Sequence, residues 1–264
     1  INQQNRKLIA ALRKELDAHG PRLPIYWGNR NRHPYLPDTL AHMAQDGIKN
    51  ALAFVTSAYS SYSSCRQYRQ NIIDAQAKVG PTATRVEKLR LFYNHPLFIE
   101  ANVDHIRAAV SQLEDVNLVF TAHSIPESMA VNCDYAAQLA EAGDLIANAL
   151  GIKNWQLVYQ SRSGSPSQPW LGPDIVEHLR TLHGEGVRKV VVAPIGFVSD
   201  HMEVVYDLDV EARKVADELG MKMVRAATAG THPAFVRMIR ELVMERIDDT
   251  VPENICAPDC CRVG

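Results

Sequence analysis

The chain has 264 residues, of which 46% are hydrophobic and 22% charged, with a formal net charge of −2. These values exclude a disordered chain and argue against a general nucleic-acid binder, which is normally basic. No apolar run approaches the roughly 20 residues of a membrane-spanning helix and no signal peptide is visible, so the expected location is the cytoplasm.

Leu8, Ile9, Leu12 and Leu16 form one stripe and predict a helix over residues 2–16. A helix with no preceding strand is an unusual opening for an α/β protein, and the expectation is a chain that starts within a longer one. Strands follow at 23–28, 51–57, 116–123, 155–161, 189–197 and 221–227, with a weaker one at 89–93. Helical patterns lie between them at 37–47, 65–79, 97–114, 134–150, 174–184, 202–219 and 233–247. Several strands are near-continuous apolar runs, such as VVVAPIGF, as parallel strands covered on both faces require. This alternation predicts parallel sheets built of βαβ units, with too many strands for one small sheet. Two α/β halves are expected, 1–88 and 89–231, divided where GPTATR interrupts the pattern, with a cysteine-bearing tail at 249–264. Neither half carries the glycine-rich loop of a dinucleotide or nucleoside-triphosphate site.

In open α/β sheets ligands sit beyond the carboxyl ends of strands, so polar residues there are the ones of interest. The segment LVFTAHSIP ends a strand at His123, whose imidazole suits metal binding or proton transfer. Loop carbonyls could equally satisfy its ring. After the strand VVVAPIGF comes Ser199-Asp200-His201, read as a helix entry capped by Asp or Ser. Glu203, Asp207 and Glu211 then stand at i, i+4 and i+8, three carboxylates along one face. Such a row is either a solvated acidic face or a path for cations or protons; no Lys or Arg interrupts it. The loop QSRSGSPSQPWLGPD offers Trp170 to line a pocket for a flat ligand or to plug the core. In SAYSSYSSCRQY, Tyr68, the serines and Arg66 or Arg69 could bind an anion, or the serines could be turn chemistry. The chain has five cysteines: Cys65, Cys133, Cys256, Cys260 and Cys261. Three thiols in the tail need a fourth ligand to make a tetrahedral site, with Cys65 or Cys133 as donors; zinc, a disulfide or idle thiols are the rival readings.

Together TAHSIP, GFVSDHMEVVYDLD, QSRSGSPSQPWLGPD, GNRNRHPYL and SAYSSYSSCRQY resemble, in order, the motifs of the ferrochelatase family. The resemblance implies an α/β fold of two flavodoxin-like halves with a porphyrin cleft between them, the C-terminal helix (232–248) returning to the first half. It implies a lyase of haem biosynthesis that inserts Fe²⁺ into a porphyrin. His123 would meet Fe²⁺ and help remove pyrrole protons, with Glu203 opposite it, and Asp207 and Glu211 would continue the carboxylate row. Tyr68 would lie against the porphyrin, and Trp170 would join it as a porphyrin contact. A His/Glu pair suits a metal that must be released, where a three-cysteine site would hold it too tightly. The cysteine pattern resembles actinobacterial members that carry a [2Fe-2S] cluster, which implies Cys65, Cys256, Cys260 and Cys261 as ligands and leaves Cys133 as a buried or idle thiol. Those members act on coproporphyrin III, so Fe-coproporphyrin III is the expected product and protoporphyrin IX the alternative substrate.

Against the family pattern the chain lacks the first strand, the glycine-rich turn and the following helix, and Arg32 stands where many members have an aromatic residue. Poor activity of the isolated chain is therefore expected. The competing readings are a porphyrin or haem carrier without catalysis, and a related chelatase acting on sirohydrochlorin with cobalt or nickel.

Overall fold

The computed structural model describes residues 2–113, 115–165, 167–251, 260 and 261. Helix α1 (Asn2–His19) is followed by an extended stretch, α2 (Leu36–Gln45) and strand β1 (Asn50–Ala53). A short π-helical turn (Tyr62–Arg66) leads into α3 (Gln67–Val79), then β2 (Arg85–Lys88) and α4 (Pro96–Val110). Next come β3 (Asn117–His123), the one-turn α5 (Glu127–Ala130), α6 (Tyr135–Leu150), β4 (Trp155–Gln160), α7 (Ile175–Gly184) and β5 (Lys189–Ala193). The chain continues through α8 (Met202–Val204), a second π-helical segment (Val205–Ala212), α9 (Arg213–Glu218), β6 (Lys222–Arg225) and α10 (Pro233–Ile247). Among the described residues no helix is long and apolar enough to cross a membrane.

Every strand pairing is parallel. Strands β1 and β2 form one sheet; the other has the order β4-β3-β5-β6. Counted within its own half, that order is 2-1-3-4, the arrangement of a flavodoxin-like sheet. Successive connections leave β3 in opposite directions, so a crevice opens at the carboxyl ends of β3 and β5. The sheet is covered on both sides, which explains its apolar runs: Phe120 and Ala122 of β3 face one core with α4 and α6, and Val119 faces another with α7 and α9. Gly143 of α6 is required here, since a Cβ would lie 2.9 Å from the Trp155 ring. Helix α10 packs on both α1 and α4, and bidentate hydrogen bonds of 2.7 Å each join Arg90 to Glu245 on it.

Two expected strands differ. Residues 23–28 are extended but join no ladder among the described residues; they and β1 both line one cavity. The strand read at 89–93 is absent, and β2 forms four residues earlier from RVEK, whose charged alternation hides a strand that exists by pairing with β1.

Candidate active site

His123 is the last residue of β3, paired in register with Gln160 at the end of β4. Its Nδ1 lies 2.5 Å from the carbonyl oxygen of Ser124. A carbonyl only accepts, so Nδ1 carries the hydrogen and the lone pair of the neutral ring resides on Nε2. That Nε2 stands 3.6 Å from Oε2 of Glu203, which reaches it from α8 beyond β5. A lone pair and a carboxylate oxygen facing each other call for a cation between them, either a proton or a metal ion. Both groups keep contact with solvent, with side chains 35% and 53% exposed. One ring nitrogen is thus satisfied by a loop carbonyl, as the bland reading supposed, and the other is presented to the crevice.

The loop between β5 and α8 turns tightly against β3, where the Gly196 N–H donates to the Thr121 carbonyl (3.0 Å). A side chain at Gly196 would lie 2.5 Å from the Ala122 Cβ, so this close approach brings the Glu203 loop to His123. The helix entry is capped by His201, not by Ser199 or Asp200: its Nδ1 accepts the Glu203 N–H at 3.3 Å. Burial lowers the pKa of His201, the nearby His123 adds to this, and Glu203 opposes it. A neutral His201 is what the cap requires. Sequence reading missed this role because His ranks low among the usual capping residues.

The carboxylate row continues along the π-helical segment. Asp207 is half-buried, its Oδ2 accepting hydrogen bonds from the Ser161 hydroxyl and from Gln160 Nε2 (3.2 Å), whereas Glu211 is exposed. Arg225 on β6 holds the segment from behind, with Nε 2.6 Å from Asp209 Oδ1 and Nη1 3.0 Å from Asp200 Oδ1.

The 1160 Å³ cavity beside residues 23–28 and β1 extends to this wall. Its lining runs from α1, residues 23–32 and Tyr68 over β1 and α10 to Gly196, Phe197, Val198, Ser199 and His201. Tyr68 lies under the Arg30 guanidinium at 4.9 Å. Neither Trp170 nor His123, Glu203, Asp207 or Glu211 is among the lining residues; the cavity reaches the pair's surroundings only at Gly196–Ser199 and His201. The Trp170 loop is instead pinned over the segment after His123, by the Leu171 N–H to the Ile125 carbonyl (3.0 Å) and the Ser124 hydroxyl to the Leu171 carbonyl (2.7 Å).

Cys65 and Cys260 lie away from this site. Cys65 is 1% exposed in the π-helical turn before α3. Arg66 of that turn donates to the Cys260 carbonyl (3.1 Å), and Arg69 in the first turn of α3 to the Cys260 sulfur (3.9 Å). Among the described residues no three His, Cys, Asp or Glu side chains form a group that could hold a metal ion, and Cys256 lies outside those residues. The half-buried Cys133 donates to the Met129 carbonyl (3.4 Å); burial pushes its thiol up, with Asp134 and Cys260 adding to the effect.

Comparison with known proteins places the chain in a family. The ferrochelatase family model matches residues 1–247. A ferrochelatase of Rhodopirellula baltica is 51% identical, over 99% of this chain and 79% of its own length. Coproporphyrin III ferrochelatases of Nocardia farcinica and Streptomyces coelicolor are 47% and 45% identical, each over 99% of this chain and 82% and 80% of their own. Among solved structures, SirB from Bacillus subtilis superposes with a TM-score of 0.66 at 12% identity, covering 93% of this chain and 92% of its own. CbiX, the terminal enzyme of sirohaem biosynthesis in denitrifying bacteria, gives 0.61 at 14% identity, covering 92% of each chain. These two share the two-domain chelatase fold and, at such identities, the fold alone. With a family model spanning nearly its whole length and relatives near half identity, the chain belongs to the ferrochelatase family.

Proposed function

We propose that the protein inserts Fe²⁺ into coproporphyrin III to give Fe-coproporphyrin III. The observation that carries this reading is His123 Nε2 facing Glu203 Oε2 across 3.6 Å at the switch point of the sheet. Metallation breaks two pyrrole N–H bonds, forms the iron–nitrogen bonds and releases two protons. A neutral imidazole can accept such a proton, and with the carboxylate it supplies two donors that bind Fe²⁺ weakly enough to let it go. Asp207 and Glu211 continue the line along which protons leave or metal arrives. Tyr68 would lie against the macrocycle, and Trp170 would steady it from the loop above His123. The names borne by the Nocardia and Streptomyces relatives support the choice of porphyrin.

The same reading places the enzyme in the cytoplasm and divides the chain at residue 88 into two halves, helix 232–248 returning to the first. It assigns Cys65, Cys256, Cys260 and Cys261 to a [2Fe-2S] cluster, a one-electron centre when bound, with Arg66 and Arg69 offsetting its negative charge. Incubation without oxygen with Fe²⁺ and either coproporphyrin III or protoporphyrin IX, followed by the product spectrum, tests the function. Turnover with coproporphyrin III supports it, and turnover with protoporphyrin IX alone transfers the assignment to that substrate. Porphyrin binding without turnover leaves a carrier.

A further inference from the structure

Ser161, the first residue after β4, has a backbone φ of 60° although it is not glycine. Such a conformation is uncommon for a residue with a side chain, and an outlier beside a reactive pair calls for a reason. Here it turns the hydroxyl onto Asp207 Oδ2. The preceding Gln160 is 1% exposed and extends its amide to the same oxygen at 3.2 Å and toward the Glu203 carbonyl at 3.5 Å. Gln160 is also the register partner of His123. One dipeptide at the end of β4 therefore touches the strand of the imidazole, the backbone of the first carboxylate and the side chain of the second.

Two donors on a single oxygen fix the plane of the Asp207 carboxylate and leave Oδ1 as the oxygen they do not occupy. Glu203 and Glu211, before and after it in the row, are exposed. A relay needs a station at a constant distance from mobile neighbours, because proton transfer falls off when donor and acceptor leave hydrogen-bond reach. We infer that Gln160 and Ser161 are positioning residues that hold Asp207 as the fixed station through which pyrrole protons pass from the His123–Glu203 pair toward Glu211 and water. The inference rests on the proposed metallation and adds to it how the protons leave.

The test uses the full chain with Ser161→Gly and Gln160→Met. Glycine accepts the positive φ and removes the hydroxyl with its methylene, so relief of the backbone offsets the added unfolded-state entropy and the thermal midpoint should stay close to that of wild type. The turnover number for Fe²⁺ insertion should fall at least fivefold in each variant with the porphyrin KM unchanged. Added imidazole, a small mobile proton carrier, should restore it. Turnover within twofold of wild type in both variants, or a loss that imidazole does not repair, overturns the inference while leaving the metallation reading intact. Wild-type protein that metallates neither porphyrin overturns both.

Discussion

The Tyr135 hydroxyl donates to the backbone carbonyl of His123 at 3.0 Å, joining the first residue of α6 to the last residue of β3. Burial pushes the phenol's pKa well above its ordinary value, so it remains a donor over the working range. Phenylalanine at this position leaves a carbonyl unsatisfied and the imidazole less firmly held. Tyr135→Phe should destabilise the fold by roughly 1–3 kcal/mol in urea denaturation and reduce turnover more than it changes the porphyrin KM. A variant matching wild type in both respects would show that the bond has no part in holding His123.

Acid stability should report His95. It is 6% exposed, caps α4 by accepting the Leu97 N–H on Nδ1 (3.2 Å), and has its pKa lowered to about 4, first by burial and then by the Arg90 charge. A histidine whose folded pKa lies below its unfolded value of about 6.5 binds a proton more readily when unfolded. Its effect on stability is nil above pH 6.5 and grows unfavourable as the pH falls toward 4, where it amounts to roughly 3 kcal/mol. His95→Asn keeps a capping side chain and removes the titration. The variant should lose less stability than wild type between pH 7 and pH 4, as measured by denaturant midpoints; identical slopes would remove His95 as the cause.

Arg225 ties β6 to Asp209 on the π-helical segment and to Asp200 just before His201. Removing the guanidinium leaves two carboxylates together in a partly buried setting. Because each is about one-third exposed, the cost is discounted to about 2 kcal/mol. Arg225→Met should show that loss together with impaired turnover, since the loop bearing Glu203 loses its rear support. Unchanged stability would mean that solvent screens the pair completely.

Much of the site was legible because local sequence dictates it. The i, i+4, i+8 spacing puts Glu203, Asp207 and Glu211 on one face of any tight helix, and a polar residue ending an apolar strand, such as His123, must emerge at the sheet edge. Legibility failed wherever the decisive partner is remote in sequence. RVEK became a strand through β1, and residues 23–28 join no ladder among the described residues. The π-helical winding of 62–66 and 205–212 carries no periodic signal that separates it from an α-helix. The Gln160–Ser161 grip on Asp207 spans more than forty positions, and its residues read simply as the start of a loop.

The cysteine assignment makes a separate prediction. Protein purified without oxygen should show the visible charge-transfer bands of a [2Fe-2S] centre, and Cys65→Ser or Cys260→Ser should abolish them, whereas Cys133→Ser should not. Colourless protein containing zinc would replace the cluster with a zinc site.

The central claim is that His123 and Glu203 act as one unit, and a double-mutant cycle of metallation rates measures this directly. His123→Ala and Glu203→Gln should each lower turnover by about 100-fold or more, and the double variant should be little worse than the poorer single one. Losses that simply multiply would show two independent residues and would contradict the account.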